Sequence, residues 1–130
     1  MSLSIVKLHH IQLCAPFEKE EKAREFYLEK LGFQEINKPD SLLKNGGFWC
    51  KAGNAELHIG LEEMEGAKGK RHPAFQVEDL KASRCLLEKY KIKIQEETEI
   101  PGIQRLSFFD PFGNRIELLQ IQRSGVDSSI

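Results

Sequence analysis

The chain has 130 residues, 40% of them hydrophobic, with 19 basic and 20 acidic side chains and a net charge of −1. That length suits one domain with a real core, and the balanced charge leaves no basic excess to neutralise the phosphates of a nucleic acid. No apolar run approaches the ~20 residues that cross a bilayer, and Met1–Ile5 runs straight into Lys7 and two histidines, unlike a signal peptide.

Residues 5–13 are β-branched and apolar enough for a strand, which Pro16 breaks. Residues 18–31 place Ala23, Phe26, Tyr27 and Leu31 at helical spacing, and Gly32 is a natural stop. A short strand at 33–36 and a polar loop follow. Residues 48–52 and 55–61 read as two strands turned by Gly53-Asn54, a strong hairpin signal. The polar stretch 62–70 is the expected linker, or a flexible loop over a pocket mouth. The pattern then restarts with a strand at 72–77. Asp79 caps a helix over about 80–90, with Leu80, Leu87 and Tyr90 on one stripe. A strand at 92–96 follows, then a hairpin of 104–109 and 114–121 turned by Asp110-Pro111-Phe112-Gly113-Asn114. The tail beyond is expected to fray.

The order is βαβββ, a linker, and βαβββ again. The expected fold is α+β, one domain built from two related modules (about 5–61 and 71–121) that share one core. The repeat shows in the residues: His10-Ile11-Gln12-Leu13 and His72-Pro73-Ala74-Phe75 open the two halves, and Gly53-Asn54 and Gly113-Asn114 precede their last strands.

Alternate strand residues face opposite sides. With Leu57, Ile59 and Leu61 against a helix, Glu56 and His58 take the other face. With Ile116 and Leu118 against a helix, Arg115 and Glu117 lie opposite. The same parity puts His10 and Gln12, and His72, on the non-helix faces. If the sheets curl toward each other, His10, His58, His72 and Glu117 converge. Two or three imidazoles and a carboxylate suit Fe(II), Mn, Ni, Co or Zn. Such a site polarises a carbonyl or enolate, or activates water or oxygen. Trp49, Phe48 and Phe109 line a pocket or join the core. Arg115 and Arg105 hold an anionic substrate or form surface ion pairs. His9 falls on the helix side. The three cysteines (Cys14, Cys50, Cys85) are widely spaced, which gives neither a disulfide framework nor a zinc-binding pair. A cytoplasmic protein with reduced thiols is expected.

These modules resemble the vicinal oxygen chelate superfamily. That group includes glyoxalase I, extradiol dioxygenases, methylmalonyl-CoA epimerase, and fosfomycin- and bleomycin-resistance proteins. The resemblance covers roughly residues 5–121 and implies that the two modules form a curved, cup-like mixed sheet around a cavity, with the helices outside. It is carried by His9-His10-Ile11-Gln12-Leu13, by Phe26-Tyr27 with Leu31-Gly32-Phe33, and by Asp110-Pro111-Phe112-Gly113-Asn114-Arg115-Ile116-Glu117. It implies that His10, His72 and Glu117 bind a divalent metal. The remaining position, on the fourth strand, is a glutamate in glyoxalase I. Here His58 occupies it, with Glu56 two residues away. The implied function is a metal-dependent enzyme for a small substrate that chelates through vicinal oxygens, by isomerase, lyase or dioxygenase chemistry. Glu117 and His58 would move the proton, and Gln12, Trp49, Glu56 and Arg115 would line the substrate pocket. The alternative is a metal-free protein of the bleomycin-resistance type that sequesters a small molecule. The resemblance also implies a homodimer, in some members with the metal site built from both chains.

Overall fold

Each half of the chain folds into a four-stranded mixed sheet. The first contains β1 (Ile11–Ala15), β2 (Gln34–Ile36), β3 (Phe48–Ala52) and β4 (Ala55–Leu61), in the order β1-β4-β3-β2. The second contains β5 (Ala74–Gln76), β6 (Gln95–Glu96), β7 (Ile103–Phe109) and β8 (Arg115–Ile121), in the order β5-β8-β7-β6. In both sheets the first strand lies parallel to the last and the other pairs are antiparallel. The two halves therefore repeat one topology, and the fold is α+β without a closed barrel. The computed structural model describes residues 2–64 and 69–122. Part of the expected linker (65–68) and nearly all of the expected frayed tail (123–130) lie outside the described residues.

Local signals account for most boundaries. Gly53 has φ +58 and turns the two-residue β3–β4 hairpin, the conformation that glycine adopts without strain. Helix α2 (Leu80–Lys89) starts where the Asp79 side chain accepts from the Ala82 amide. The first helical segment is less regular than its spacing suggests. It opens as 3₁₀ turn Phe17–Lys19, becomes α1 over Glu20–Arg24, and widens to a π turn over Glu25–Lys30. The π turn closes with Leu31 N–H donating to the Phe26 carbonyl, five residues back. Gly32, at φ +84, ends it.

Strand β1 differs most from expectation. It begins at Ile11 rather than at residue 5. Ile11 pairs with Leu57, so the register runs out at β4's first residue, Ala55, opposite His9. Among the described residues, no strand lies beside those before His9.

Both sheets bury their helix-facing sides in a single core. Ala23, Phe26 and Tyr27 come from the first helical segment, and Leu80 and Leu87 from α2. Phe48, Cys50, Leu57 and Ile59 come from the first sheet, and Leu106, Phe108 and Ile116 from the second. Phe26 lies 6.4 Å from Phe108, and Phe33 lies 5.9 Å from Phe75, both bridging the halves.

A polar clasp completes the join. Asp110 is buried at the start of the β7–β8 turn and accepts the Tyr27 hydroxyl at 2.5 Å. Its carboxylate also accepts the Phe112 and Asn114 amides and the Asn114 side chain. Asn114 Nδ2 donates as well to the Cys14 carbonyl on β1, 2.8 Å away. The Asp-Pro-Phe-Gly-Asn turn thus anchors module two to module one, besides setting the β7–β8 register. Among the described residues no helix is long and apolar enough to cross a membrane.

Candidate functional site

Strand alternation and the shared core place the chemistry. Leu57 and Ile59 enter the core, so His58 between them belongs to the face turned away from it. Ile116 and Leu118 pack on the core, so Glu117 takes the corresponding face of the second sheet. Both remain buried, at 4% and 6% exposure, because neighbours on those faces cover them.

On the first sheet His58 is the middle of a stack. Trp49, its register partner on β3, lies parallel at 3.9 Å between ring centroids. His10 stacks on His58 at 3.9 Å with a 19° tilt. His58 Nε2 is 2.7 Å from Glu56 Oε2, and that hydrogen bond holds the Glu56 carboxyl below the usual carboxylate range. Burial, then the neighbouring His58 and His9, lower the His10 pKa. His9 is exposed, with Nδ1 3.0 Å from Nδ1 of His10. Gln12 pairs with His58 in the β1–β4 register, and its amide lies over Gly60, where a Cβ would come within 2.6 Å.

On the second sheet His72 sits two residues ahead of β5, and Glu117 pairs with Ala74. His72 Nε2 is 3.1 Å from Glu117 Oε1. The other ring nitrogen, Nδ1, is 2.7 Å from the Lys70 carbonyl. A carbonyl only accepts, so Nδ1 carries a proton. In the neutral tautomer Nε2 is then a bare lone pair facing a carboxylate oxygen. That contact calls for a positive charge between the two atoms, either a second proton or a cation. Arg105 Nη1 touches the same Glu117 oxygen at 3.5 Å, while its Nε donates to the Thr98 carbonyl.

Arg115 shares this face and pairs with Glu97 at 2.9 Å; its Nε is buried without a partner among the described residues. Glu97 also accepts the Ser107 hydroxyl at 2.5 Å. That bond, more than Arg115, holds the Glu97 carboxyl below its ordinary value, against the effect of burial. Glu97 was not evident in the sequence, because it lies in the polar run Gln95–Glu99, which carries no period. Phe48 belongs to the core, with the Arg24 guanidinium 4.7 Å over its ring. Cys50 is buried, and burial pushes its thiol up to about 12, too high for a nucleophile at neutral pH.

The predicted residues therefore assemble as two pairs, His10 with His58 and His72 with Glu117. Among the described residues no group of three or more His, Cys, Asp or Glu side chains is placed to hold a metal ion. A cleft of about 860 Å³ opens between the halves. His10 and Glu56 line it from one side and His72 from the other, with Phe33, Phe75 and Val77 as apolar wall. Glu117, His58, Gln12, Trp49 and Arg115 do not line it.

A family profile described as "Glyoxalase/Bleomycin resistance protein/Dioxygenase superfamily" matches residues 7–118. The chain belongs to this superfamily. A glyoxalase family protein from Bacillus anthracis is 40% identical, with a TM-score of 0.86 over 94% of this chain and 100% of that one. TnmS3, an antibiotic binding protein from Streptomyces sp. CB03234, is 21% identical, with a TM-score of 0.70 over 93% of this chain and all of its own. The fosfomycin resistance protein FosX of Listeria monocytogenes, solved with Mn(II) and sulfate, is 16% identical, with a TM-score of 0.73 over 91% and 92% of the chains. The last two likenesses concern the fold alone. Among curated proteins none matches significantly. The same fold thus carries both a manganese-bound resistance protein and an antibiotic binder.

Proposed function

We propose that the protein is a cytoplasmic metal-dependent enzyme for a small substrate that offers two adjacent oxygens to the metal. The observation that carries the reading is the His72–Glu117 contact. With His72 neutral, two acceptor atoms lie 3.1 Å apart, in a geometry that a divalent cation would satisfy. The Lys70 carbonyl fixes the His72 tautomer that leaves Nε2 free, an arrangement usual for metal-bound imidazoles. Arg105 Nη1 reaches the same Glu117 oxygen at 3.5 Å.

One chain thus supplies two donors, His72 and Glu117. The third is His10, and in this reading it comes from a second copy in a homodimer, with His58 as fourth ligand or substrate contact. The metal (Fe, Ni, Zn, Mn or Co) would supply Lewis-acid stabilisation of negative charge developing on a substrate oxygen. The chain's own residues do the rest. Glu117 or the Glu56-paired His58 moves a proton at the substrate carbon or oxygen. Of the expected pocket residues Glu56 lines the cleft of a single chain; in this reading Trp49, Gln12 and Arg115 meet the substrate only where two copies join.

A rival reading is a metal-free protein that sequesters a small molecule. The roomy cleft walled by Phe33, Phe75 and Val77, with His10 at its lining, favours it, because small-molecule pockets are mostly apolar with few polar groups. The metal content of untagged protein decides between them, measured beside His72→Ala and Glu117→Ala. Near one metal per chain, lost in both variants, supports the enzyme. No metal, even after adding Ni, Fe(II), Zn or Mn, overturns it and favours the binder.

A further inference from the structure

The face of the second sheet turned away from the core carries two arginines, and they are held differently. Arg115 gives Nη2 to Glu97 at 2.9 Å, and Glu97 also accepts the Ser107 hydroxyl. The Arg115 charge is therefore met within the chain, and its Nε is sealed from solvent. Arg105 is committed more loosely. Its Nε donates at 3.0 Å to the Thr98 carbonyl, which carries no charge. Its Nη1 reaches Glu117 only at 3.5 Å, longer than an ordinary hydrogen bond. Nη2 has no hydrogen-bond partner among the described residues. Arg105 also lines an open cleft of about 330 Å³, so a solute can reach its side chain.

Its position matters as much as its freedom. Arg105 Nη1 and His72 Nε2 contact the same Glu117 oxygen, at 3.5 and 3.1 Å. A small anion beside that oxygen is therefore within reach of the guanidinium and of the imidazole together. The surrounding charges decide what settles there. Lys81, Arg84, Arg105 and Arg115 balance Glu96, Glu97, Glu99 and Glu117 one for one along this edge. A divalent metal on His72 and Glu117 adds two positive charges, and this set holds no carboxylate left over to meet them. A positive surplus in a partly buried site draws an anion in preference to a neutral molecule.

We propose that Arg105 anchors a substrate carboxylate, which makes the substrate a 2-oxo or 2-hydroxy acid rather than a neutral diol or dicarbonyl. Such an acid has two adjacent oxygens, the keto or hydroxyl oxygen and one carboxylate oxygen. Its second carboxylate oxygen points away from that pair and is free for a cation. A planar guanidinium meets a carboxylate through parallel N–H groups, which an ammonium does not provide. Nη1 and Nη2 of Arg105 form such a pair, because the long contact to Glu117 is readily given up. Leu119, opposite Arg105 in the β7–β8 register, shares the face and offers apolar contact to a short carbon chain. The demand for an adjacent second oxygen rests on the reading that a metal sits on His72 and Glu117; the carboxylate anchor does not.

The probes are 2-oxobutyrate and 2,3-pentanedione. The dione keeps the ethyl group and both adjacent oxygens but has a methyl group in place of the charged oxygen. Titration calorimetry compares them on the full chain and on Arg105→Gln, Arg105→Lys and Arg84→Gln, with and without Mn(II). Bound Mn(II) is measured in each protein, and circular dichroism confirms folding. Arg84→Gln removes one positive charge from the same edge without touching Glu117. The full chain with Mn(II) is expected to bind the acid at least about tenfold more tightly than the dione. Arg105→Gln should lose that preference, Arg105→Lys should keep part of it, and Arg84→Gln should match the wild type, with bound Mn(II) undiminished in all. If Arg105→Gln fails to fold, Arg105→Lys carries the comparison. Equal binding of acid and dione overturns the proposal, as does a preference that survives in Arg105→Gln or falls equally in Arg84→Gln; bound Mn(II) then leaves the metal reading standing. Failure of the wild type to bind either probe also overturns it, whatever the metal content. A preference that depends on Arg105 in protein that takes up no Mn(II) upholds the anchor and sinks only the metal site.

Discussion

Removing the Asp110 carboxylate should be among the most damaging single changes in the chain. Asp110→Ala deletes the acceptor for the Tyr27 hydroxyl, two backbone amides and the Asn114 side chain. Tyr27 is fully buried, so its hydroxyl gains no water in exchange. Burial, then the Asp110 charge, hold the Tyr27 pKa well above its ordinary value, so the phenol is the donor in this bond. A buried donor left without a partner costs about 1–3 kcal/mol, and a bond to a charged group contributes about 1.5–3. The turn amides and Asn114 are half-buried and recover part of their loss through water. The sum is about 3–5 kcal/mol for Asp110→Ala and about 1.5–3 for Tyr27→Phe. For a domain whose whole stability is about 5–15 kcal/mol, the first is a large fraction. Urea unfolding followed by circular dichroism gives both numbers, with midpoint shifts of about 2 M and 1 M at a slope near 2 kcal/mol/M. The double variant should cost less than the sum of the singles, because both remove one bond. Strict additivity, or a loss below about 1 kcal/mol for Asp110→Ala, would refute the clasp.

Three further outcomes follow from the same geometry. Gly47→Ala should cost more than about 2 kcal/mol, because φ is +82 and a Cβ would lie 2.2 Å from the Ile59 carbonyl oxygen; Gly32→Ala, at φ +84 with nothing within 4 Å, should cost only the ~1–2 kcal/mol of backbone strain, and chemical denaturation ranks the two. Glu97 has its folded pKa depressed below 4.5 by Ser107 and Arg115, so its stabilisation is full above that value and fades as pH falls through the lowered one. The stability gap between wild type and Glu97→Gln should therefore shrink in unfolding curves taken below pH 4.5, and a gap that widens on acidification has the wrong sign. Trp49 is the only tryptophan and lies parallel to His58, so a metal or ligand reaching that ring should change its fluorescence. Emission that stays constant while metal binds would take His58 out of the site.

Much of the fold was legible because its signals are local. Gly53-Asn54 joins two strands with no residue to spare, and Asp79 is a capping side chain directly before a helical stripe. Alternation along β4 and β8 also gave the faces of His58 and Glu117, since Leu57, Ile59 and Ile116 are apolar and buried. The failures concern relations between distant segments. The composition of residues 5–10 suits a strand, but a strand needs a neighbour, and where β4 begins is not written in β1. The bond from Tyr27 to Asp110 spans 83 positions, and no periodicity links them. Parity likewise tells which face of a sheet a histidine occupies, never which way that sheet is turned toward the other.

That last relation decides how a site can form. Both sheets sink their helix-facing sides into one core, so the faces with His58 and with Glu117 are each turned away from it. Turning those faces together within one chain would separate Phe26 from Phe108 and Phe33 from Phe75, and would strip Tyr27 and Asp110 of each other. Uncovering four aromatic side chains, at about 1.5–3 kcal/mol each, already approaches the whole stability of such a domain. The broken clasp adds to that. A site needing three donors is reached at far lower cost by bringing a second folded copy to the open strand edges, where no core contact is lost. The proposed centre draws on a partner's His10 for that reason.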